Sequence, residues 1–152
     1  MPDTRVRNAE ALMKEAEEVL SRSKILQAKR DFAGAIEAAQ HSIELSVKSM
    51  LARCDVHHQK SHDVSPQLEI LMRKLEGCSE SLTRGLSRSQ WIMQMWEPAN
   101  SFAVYGTHDT KPQDLFYEHD GEVAIYYAED AYWTCYQLHL DLAEGRMKVK
   151  SG

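Results

Sequence analysis

Hydrophobic residues recur at intervals of three and four along most of the chain, which is the spacing of one face of an α-helix. Asp3 and Thr4 are suitable N-caps for a first helix that extends to about Arg30. Asp31 is the next cap, and a second helix of about twenty residues follows it. So short a break predicts an antiparallel helical hairpin. The apolar positions of the second helix are Phe32, Ala35, Ile36, Ala39, Ile43, Val47, Met50 and Leu51.

Three more helices are predicted after a polar stretch at 54–64. Ser65 followed by Pro66 is typical of a helix start, with serine as the cap and proline in the first turn. This third helix stops at Gly77, and a fourth runs over about 81–103. Because proline cannot donate a backbone hydrogen bond, Pro98 predicts a kink or break in the fourth helix.

The last helix follows a polar loop at 105–120. Asp120 is its predicted cap, and it ends near Gly145. We therefore expect an all-α fold, an up-and-down bundle of about five helices with no strand. A chain of 152 residues has room for one such core. The predicted domain covers residues 1–145, with a flexible tail at 146–152.

The composition indicates which partners and which cellular compartment are expected for this bundle. The net charge is −5 and the densest basic stretch is the short tail with Arg146, Lys148 and Lys150, so binding to duplex DNA is not expected. The cysteine count is three, an odd number, and no CxxC pair occurs, which favours a reducing compartment. No apolar run has the length of a signal peptide or a membrane helix. We expect a cytoplasmic protein without a membrane association.

The second helix and its following loop carry a recognisable pattern. Ala39, Glu44, Lys48 and Leu51 are followed by a linker and then by the segment His62-Asp63-Val64. This order resembles the signature of HEPN domains, in which a helix with alanine, glutamate, lysine and leucine precedes a histidine and an acidic or hydroxyl residue. The later segments Tyr105-Gly106-Thr107 and Leu115-Phe116, and the alanines at 124, 128 and 131, fit the prokaryotic branch. The resemblance covers about residues 9–143.

The resemblance implies a helical bundle that often dimerises and takes part in nucleotide or RNA transactions. Such domains frequently accompany a small nucleotidyltransferase in toxin–antitoxin pairs. It also points to a ligand site near the His62 loop and the Tyr105 loop, formed by Lys48, His62, Asp63 and Tyr105. Lys48 has a second interpretation, because Glu44 and Lys48 at i and i+4 are typical of an ordinary ion pair on a helix.

One large branch of the family consists of metal-independent ribonucleases, in which an arginine, four to six intervening residues and then a histidine lie in the C-terminal part. This chain departs from that pattern, since no arginine precedes His108, His119 or His139 at that distance. Arg53 and His58 have four residues between them, but they lie at the end of the second helix and not in the C-terminal part. The sequence therefore favours a protein without ribonuclease activity, and Arg53 with His58 is the alternative catalytic pair.

A second alternative is a metal site. His57, His58 and His62 are the densest group of metal-ligating side chains, and His58 and His62 are four residues apart. The spacing matches no established zinc pattern, so a polar loop is the favoured interpretation and no cofactor is predicted.

The last helix carries two apolar stripes, one more than a helix on the outside of a single bundle needs. The first contains Ala124, Ala128, Ala131, Cys135, Leu138 and Leu142, and the second contains Tyr126, Trp133 and Tyr136 beside Tyr132. The aromatic stripe predicts a homodimer formed through this helix. The function predicted from the sequence is thus a non-catalytic, HEPN-like module. It dimerises and binds a nucleotide, RNA or a protein partner such as a nucleotidyltransferase.

Overall fold

The computed structural model describes residues 3–58 and 64–151, apart from the side chains at 97, 98 and 100. Four long helices form an up-and-down bundle, and two short helices and a pair of two-residue strands complete the described part. The all-α bundle predicted from the periodicity is confirmed. The elements are α1 Thr4–Ala28, α2 Phe32–Arg53, α3 Ser65–Lys74, β1 Leu75–Glu76, α4 Glu80–Tyr105, α5 Pro112–Leu115, α6 Glu118–Ala143 and β2 Lys148–Val149.

The predicted caps are confirmed at the first two helices and corrected at the third. The Asp3 carboxylate accepts from the Arg5 backbone N–H at 2.9 Å, and the Asp31 carboxylate accepts from that of Gly34 at 3.0 Å. At α3, Val64 holds the cap position and Ser65 is already helical. The Ser65 hydroxyl instead donates to the Gln90 carbonyl of α4 at 3.4 Å, so it joins two helices.

At the start of α6 the predicted cap, Asp120, acts from inside the helix. Its carboxylate accepts from the backbone N–H of Tyr117 at 2.7 Å, and Tyr117 is the residue before the first helical one. A carboxylate in the first turn is also favoured by the helix dipole. The residue therefore stabilises the helix start as expected, but three positions after the cap residue Tyr117.

The predicted break at Pro98 does not occur, because α4 is helical from Glu80 to Tyr105. Proline leaves the carbonyl four residues before it without its helical donor. Close to this point, Gln40 of α2 donates its side-chain amide to the Trp96 carbonyl at 2.7 Å. A neighbouring helix therefore supplies a donor in the stretch that the proline weakens.

The expectation of no strand is wrong. Leu75 pairs with Val149 and Glu76 with Lys148 in an antiparallel ribbon, and the Lys150 N–H donates to the Lys74 carbonyl at 2.7 Å. Met147, just before β2, is buried. The segment at 146–152, expected to be a flexible tail, thus contains a stretch that packs against the end of α3.

Side-chain contacts fix the directions of the four long helices. Ser42 of α2 donates to the Ala16 carbonyl of α1 at 2.8 Å, and Ser23 of α1 donates to the Ala35 carbonyl at 2.6 Å. These two contacts require α1 and α2 to be antiparallel. On the other side of the bundle, Arg88 of α4 meets Asp130 of α6. Most residues of α2 are buried, because α1, α4 and α6 all pack around it. None of the helices in the described residues is apolar and long enough to cross a membrane.

Helices α4 and α6 approach each other closely at Gly85. A Cβ placed on Gly85 would lie 2.6 Å from Cγ2 of Thr134 and also too close to its hydroxyl oxygen. We expect Gly85→Ala to destabilise the fold, even though alanine favours a helix by about 1 kcal/mol over glycine.

The matched background is Thr134→Ala, which removes both colliding atoms. In that background Gly85→Ala should become neutral or stabilising, and chemical denaturation of the four proteins measures the change of sign. An equal effect of Gly85→Ala in both backgrounds would contradict this packing.

Candidate functional site

Two of the predicted ligand residues are described, and they lie far apart. Lys48 forms an ion pair with Glu44 in which the side chains are only 15% and 10% exposed. Gln40, one turn earlier on the same face of α2, contacts α4, so the pair lies towards that helix. The buried Glu44 carboxylate therefore pairs with the charge of Lys48. The interpretation of Glu44 and Lys48 as an ion pair is thereby confirmed, although the pair is buried deeper than an ordinary surface pair.

Tyr105 is the last residue of α4 and is 80% exposed. Since α4 runs antiparallel to α2 and Trp96 lies beside Gln40, the helical rise places Tyr105 and Lys48 roughly 25 Å apart along the bundle. His62 and Asp63 lie outside the described residues. Ligand binding by these four residues stays a prediction, but Lys48 and Tyr105 do not share one pocket.

Arg53, at the C-terminal end of α2, lies beside a histidine that the sequence spacing did not single out. Its Nη1 atom is 3.5 Å from Nδ1 of His139 on α6. The other ring nitrogen, Nε2, is 2.8 Å from the Ser49 hydroxyl, one turn before Arg53. Because Ser49 donates its hydroxyl proton to the Ser46 carbonyl at 2.6 Å, it accepts from Nε2–H. The remaining lone pair of the ring, on Nδ1, is therefore directed at the guanidinium.

The environment keeps this imidazole neutral. Burial, and secondarily the positive charge of Arg53, lower the pKa of His139 from 6.5 to about 4. A general base needs a free lone pair and a pKa near the working pH. His139 has neither, because both of its nitrogens are engaged. Its geometry suits the role of holding Arg53 in place.

Further cations surround the same end of α2. The Lys74 ammonium donates to the Cys54 carbonyl at 3.5 Å. Arg53, Lys74 and Arg5 all lie close enough to Cys54 to favour its thiolate, yet burial outweighs them and raises the pKa of this thiol to about 11. Cys54 is therefore an inert core residue, and the three cations come from α1, α2 and α3.

The two described histidines of the alternative metal site follow the same end of α2. His57 and His58 border a shallow cavity of about 450 Å³ with Leu51, Asp55 and Val56. Within residues 3–58 and 64–151, no three histidine, cysteine or acidic side chains are grouped as a metal ion requires. The third predicted ligand, His62, lies outside these ranges, so the metal site stays a prediction.

The aromatic stripe of α6 is exposed as the periodicity predicted. Tyr126 is 70% and Trp133 60% exposed, and Tyr136 lies in ring contact with Trp133 at 5.4 Å. Trp91 and Met95 of α4 are exposed as well, and the Trp91 ring is 6.3 Å from that of Tyr127, the neighbour of Tyr126. We call Trp91, Met95, Tyr126, Trp133 and Tyr136 the aromatic face.

Comparison with known proteins gives one positive result. A family model described as HEPN domain matches residues 9–135. No curated protein and no solved structure matches the chain. The matched region includes Ser49 and Arg53, but it ends before His139.

The depressed pKa of His139 predicts the direction in which the stability of the protein changes with pH. Between pH 6.5 and pH 4 the unfolded chain binds a proton at this ring that the folded protein does not. The free energy of unfolding should therefore fall by about 3 kcal/mol as the pH drops through this window, and level off below it.

Urea denaturation at several pH values measures this dependence. His139→Gln should flatten the curve between pH 6.5 and pH 4, whereas His119→Gln, at a side chain that is 83% exposed, should leave it unchanged. The assignment fails if His139→Gln has the same pH dependence as the unmodified protein.

Proposed function

Because the chain belongs to the HEPN domain family, we propose that it is a non-catalytic HEPN module that forms a homodimer and binds a nucleotide, RNA or a protein partner. The observation that carries the proposal is the aromatic face, which lies on the outside of α4 and α6. The inner side of α6 already fills the core with Ala124, Ala128, Cys135 and Leu138. The bundle does not need the outer side for its own folding.

The aromatic face is large enough for a specific contact. A whole aromatic side chain offers about 150–250 Å², so the four partly exposed rings together with Met95 present on the order of 500 Å². A standard interface buries about 800 Å² on each partner, a size that this patch and its polar rim approach. Arg88 and Asp130 form a two-pronged ion pair beside the patch, with both N···O distances at 2.9 Å.

A second copy is the partner that suits this face best. Homodimers are mostly twofold, and a twofold contact uses the same patch on both subunits. Tyr126 and Trp133 are separated by seven residues and therefore lie in one row along α6. Two such rows can pack against each other in antiparallel register. A tyrosine and tryptophan core is also typical of protein interfaces.

The state of His139 favours a non-catalytic role. In the ribonuclease branch that the sequence resembles, arginine and histidine act on the phosphate and its protons. In this chain the histidine that meets an arginine has a pKa of about 4 and no free nitrogen. A displaced ribonuclease pair at Arg53 and His58 remains the alternative, together with a metal or small-molecule site at His57, His58 and His62. The proposed protein partner is a small nucleotidyltransferase of the toxin–antitoxin type.

Substitution at the centre of the aromatic face tests the homodimer. The unmodified protein should be a dimer at micromolar concentration, and Trp133→Glu should shift it to a monomer, because a buried unpaired carboxylate is costly. Analytical ultracentrifugation measures the change, and circular dichroism should show an unchanged helical fold since Trp133 is exposed.

Ile70→Glu provides the matched control, since Ile70 is an exposed apolar residue on α3, away from the aromatic face. It should leave the dimer intact. An unmodified protein that sediments as a monomer at micromolar concentration would refute the homodimer.

The absence of catalysis is tested with mixed single-stranded RNAs, incubated with and without divalent metal ions. We expect the RNAs to remain intact, because no histidine described in the structure combines a free nitrogen with an arginine partner. Cleavage that is lost in His58→Ala would instead establish the ribonuclease alternative, and cleavage lost in His139→Leu would assign it to the α2–α6 pair.

A further inference from the structure

We propose that the end of the bundle at which α2 terminates binds a phosphate group through Arg53, and that His139 is the positioning residue for this arginine. This proposal rests on the proposed function for the class of ligand. It adds the chemical group that is recognised and the residues that recognise it. The phosphate can belong to a nucleotide or to RNA.

Arg53 differs from most other arginines of the chain in its partner. Arg5, Arg30, Arg84, Arg88 and Arg146 each form an ion pair with a carboxylate. In the ranges 3–58 and 64–151, no carboxylate pairs with Arg53. Its one hydrogen-bonding partner there is the neutral ring of His139. A guanidinium has five N–H donors, so most of its hydrogen-bonding capacity remains available.

A neutral hydrogen-bond acceptor affects the charge of Arg53 differently from a carboxylate. A carboxylate orients an arginine but also cancels its charge. The Nδ1 atom of His139 orients Arg53 and leaves its positive charge for an anion. The Ser49 hydroxyl fixes the tautomer that makes this possible, because it accepts the proton on Nε2. The ring, in turn, is held on a helix that also packs into the core.

The helix dipole does not explain where the Arg53 guanidinium lies. Cations at a helix C-terminus usually bind its last carbonyl groups. Lys74 does so, since its ammonium donates to the Cys54 carbonyl. Arg53 lies in the last turn of the same helix, but its guanidinium meets the imidazole of α6 instead. The position of the Arg53 guanidinium is thus set by its contact with α6. This contact points to a role for Arg53 other than capping the end of α2.

The surroundings suit a phosphate rather than a carboxylate ligand. Lys74 lies near Cys54 together with Arg53, whereas the third nearby cation, Arg5, is paired with Asp3 and lies close to Asp55. Arg53 and Lys74 therefore add positive charge to one end of a chain whose net charge is −5. A doubly charged phosphate matches such a group, and the guanidinium fork fits its oxygens.

Binding is measured by NMR and by thermal shift with four probes: inorganic phosphate, ADP, adenosine and a short single-stranded RNA with or without a 5′-phosphate. We expect the phosphate-bearing probes to bind and adenosine to fail. RNA that binds only with its 5′-phosphate would indicate recognition of a terminal phosphate, and equal binding of both RNAs would indicate recognition of the diester backbone. Each result supports a phosphate site, whereas binding of adenosine as tight as that of ADP would overturn it.

Two pairs of variants test the residues. Arg53→Gln should weaken phosphate and ADP binding about tenfold, as expected for a lost charged hydrogen bond, whereas the charge-matched control Arg22→Gln on α1 should not. His139→Leu should weaken binding as well. His139→Asn should restore most of it, because its amide oxygen can replace the Nδ1 acceptor.

A purely structural role of His139 is distinguished by the titration of its ring. An anion on Arg53 cancels the charge that disfavours imidazolium, so saturating phosphate should raise the pKa of His139 measured by NMR. No rise on binding would overturn the positioning role. ADP binding that Arg53→Gln leaves intact would refute this site while the proposed function stands. Failure of every phosphate probe to bind a properly folded dimer would refute the site and the nucleotide- and RNA-binding part of that function, but not the dimer.

Discussion

The burial of α2 on nearly every side is the constraint on which the rest of the structure depends. A polar group in such a position is stabilised by a partner inside the bundle, because an unsatisfied buried group costs about 1–3 kcal/mol. Ser42 therefore meets a carbonyl of α1, Gln40 meets a carbonyl of α4, and Ser49 meets a ring nitrogen of α6. Each neighbouring helix is fixed by one such contact. The polar residues of α2 thus specify the arrangement that its apolar residues stabilise.

The burial of α2 also accounts for the difference between the inner and outer sides of α6. Its inner side is made of small residues, among them Ala124 and Ala128, which let the helix approach α2 closely. Its outer side carries rings too large for that approach, so they are left at the surface beside Trp91. His139 lies at the boundary between these sides, half-buried, where it can contact both Ser49 and Arg53. Packing and recognition therefore use different faces of one helix.

Local signals in the sequence predicted most of the helices. Periodicity together with Asp3 and Asp31 located the start of α1 and α2, because a cap is a contact between near neighbours in the chain. The pair of Arg53 and His139 was out of reach, since the two residues are 86 positions apart and their contact depends on how α6 packs against α2. The predicted convergence of Lys48 with Tyr105 required knowledge of the direction of α4. The ribbon of β1 and β2 was missed because two-residue strands have no periodicity to detect.

That ribbon has a consequence for the order in which the protein folds. Leu75 cannot pair until Val149 has been synthesised, and Gly77 lies against the backbone of Arg146 and Met147. A contact between such distant parts of the chain forms late, since closing a long loop costs entropy before any contact rewards it. During translation the four long helices can assemble first, while the free edge at Leu75 stays open to other extended segments. Residues 147–150 then close this edge, so a chain cut before them would keep its bundle but expose a site for mispairing.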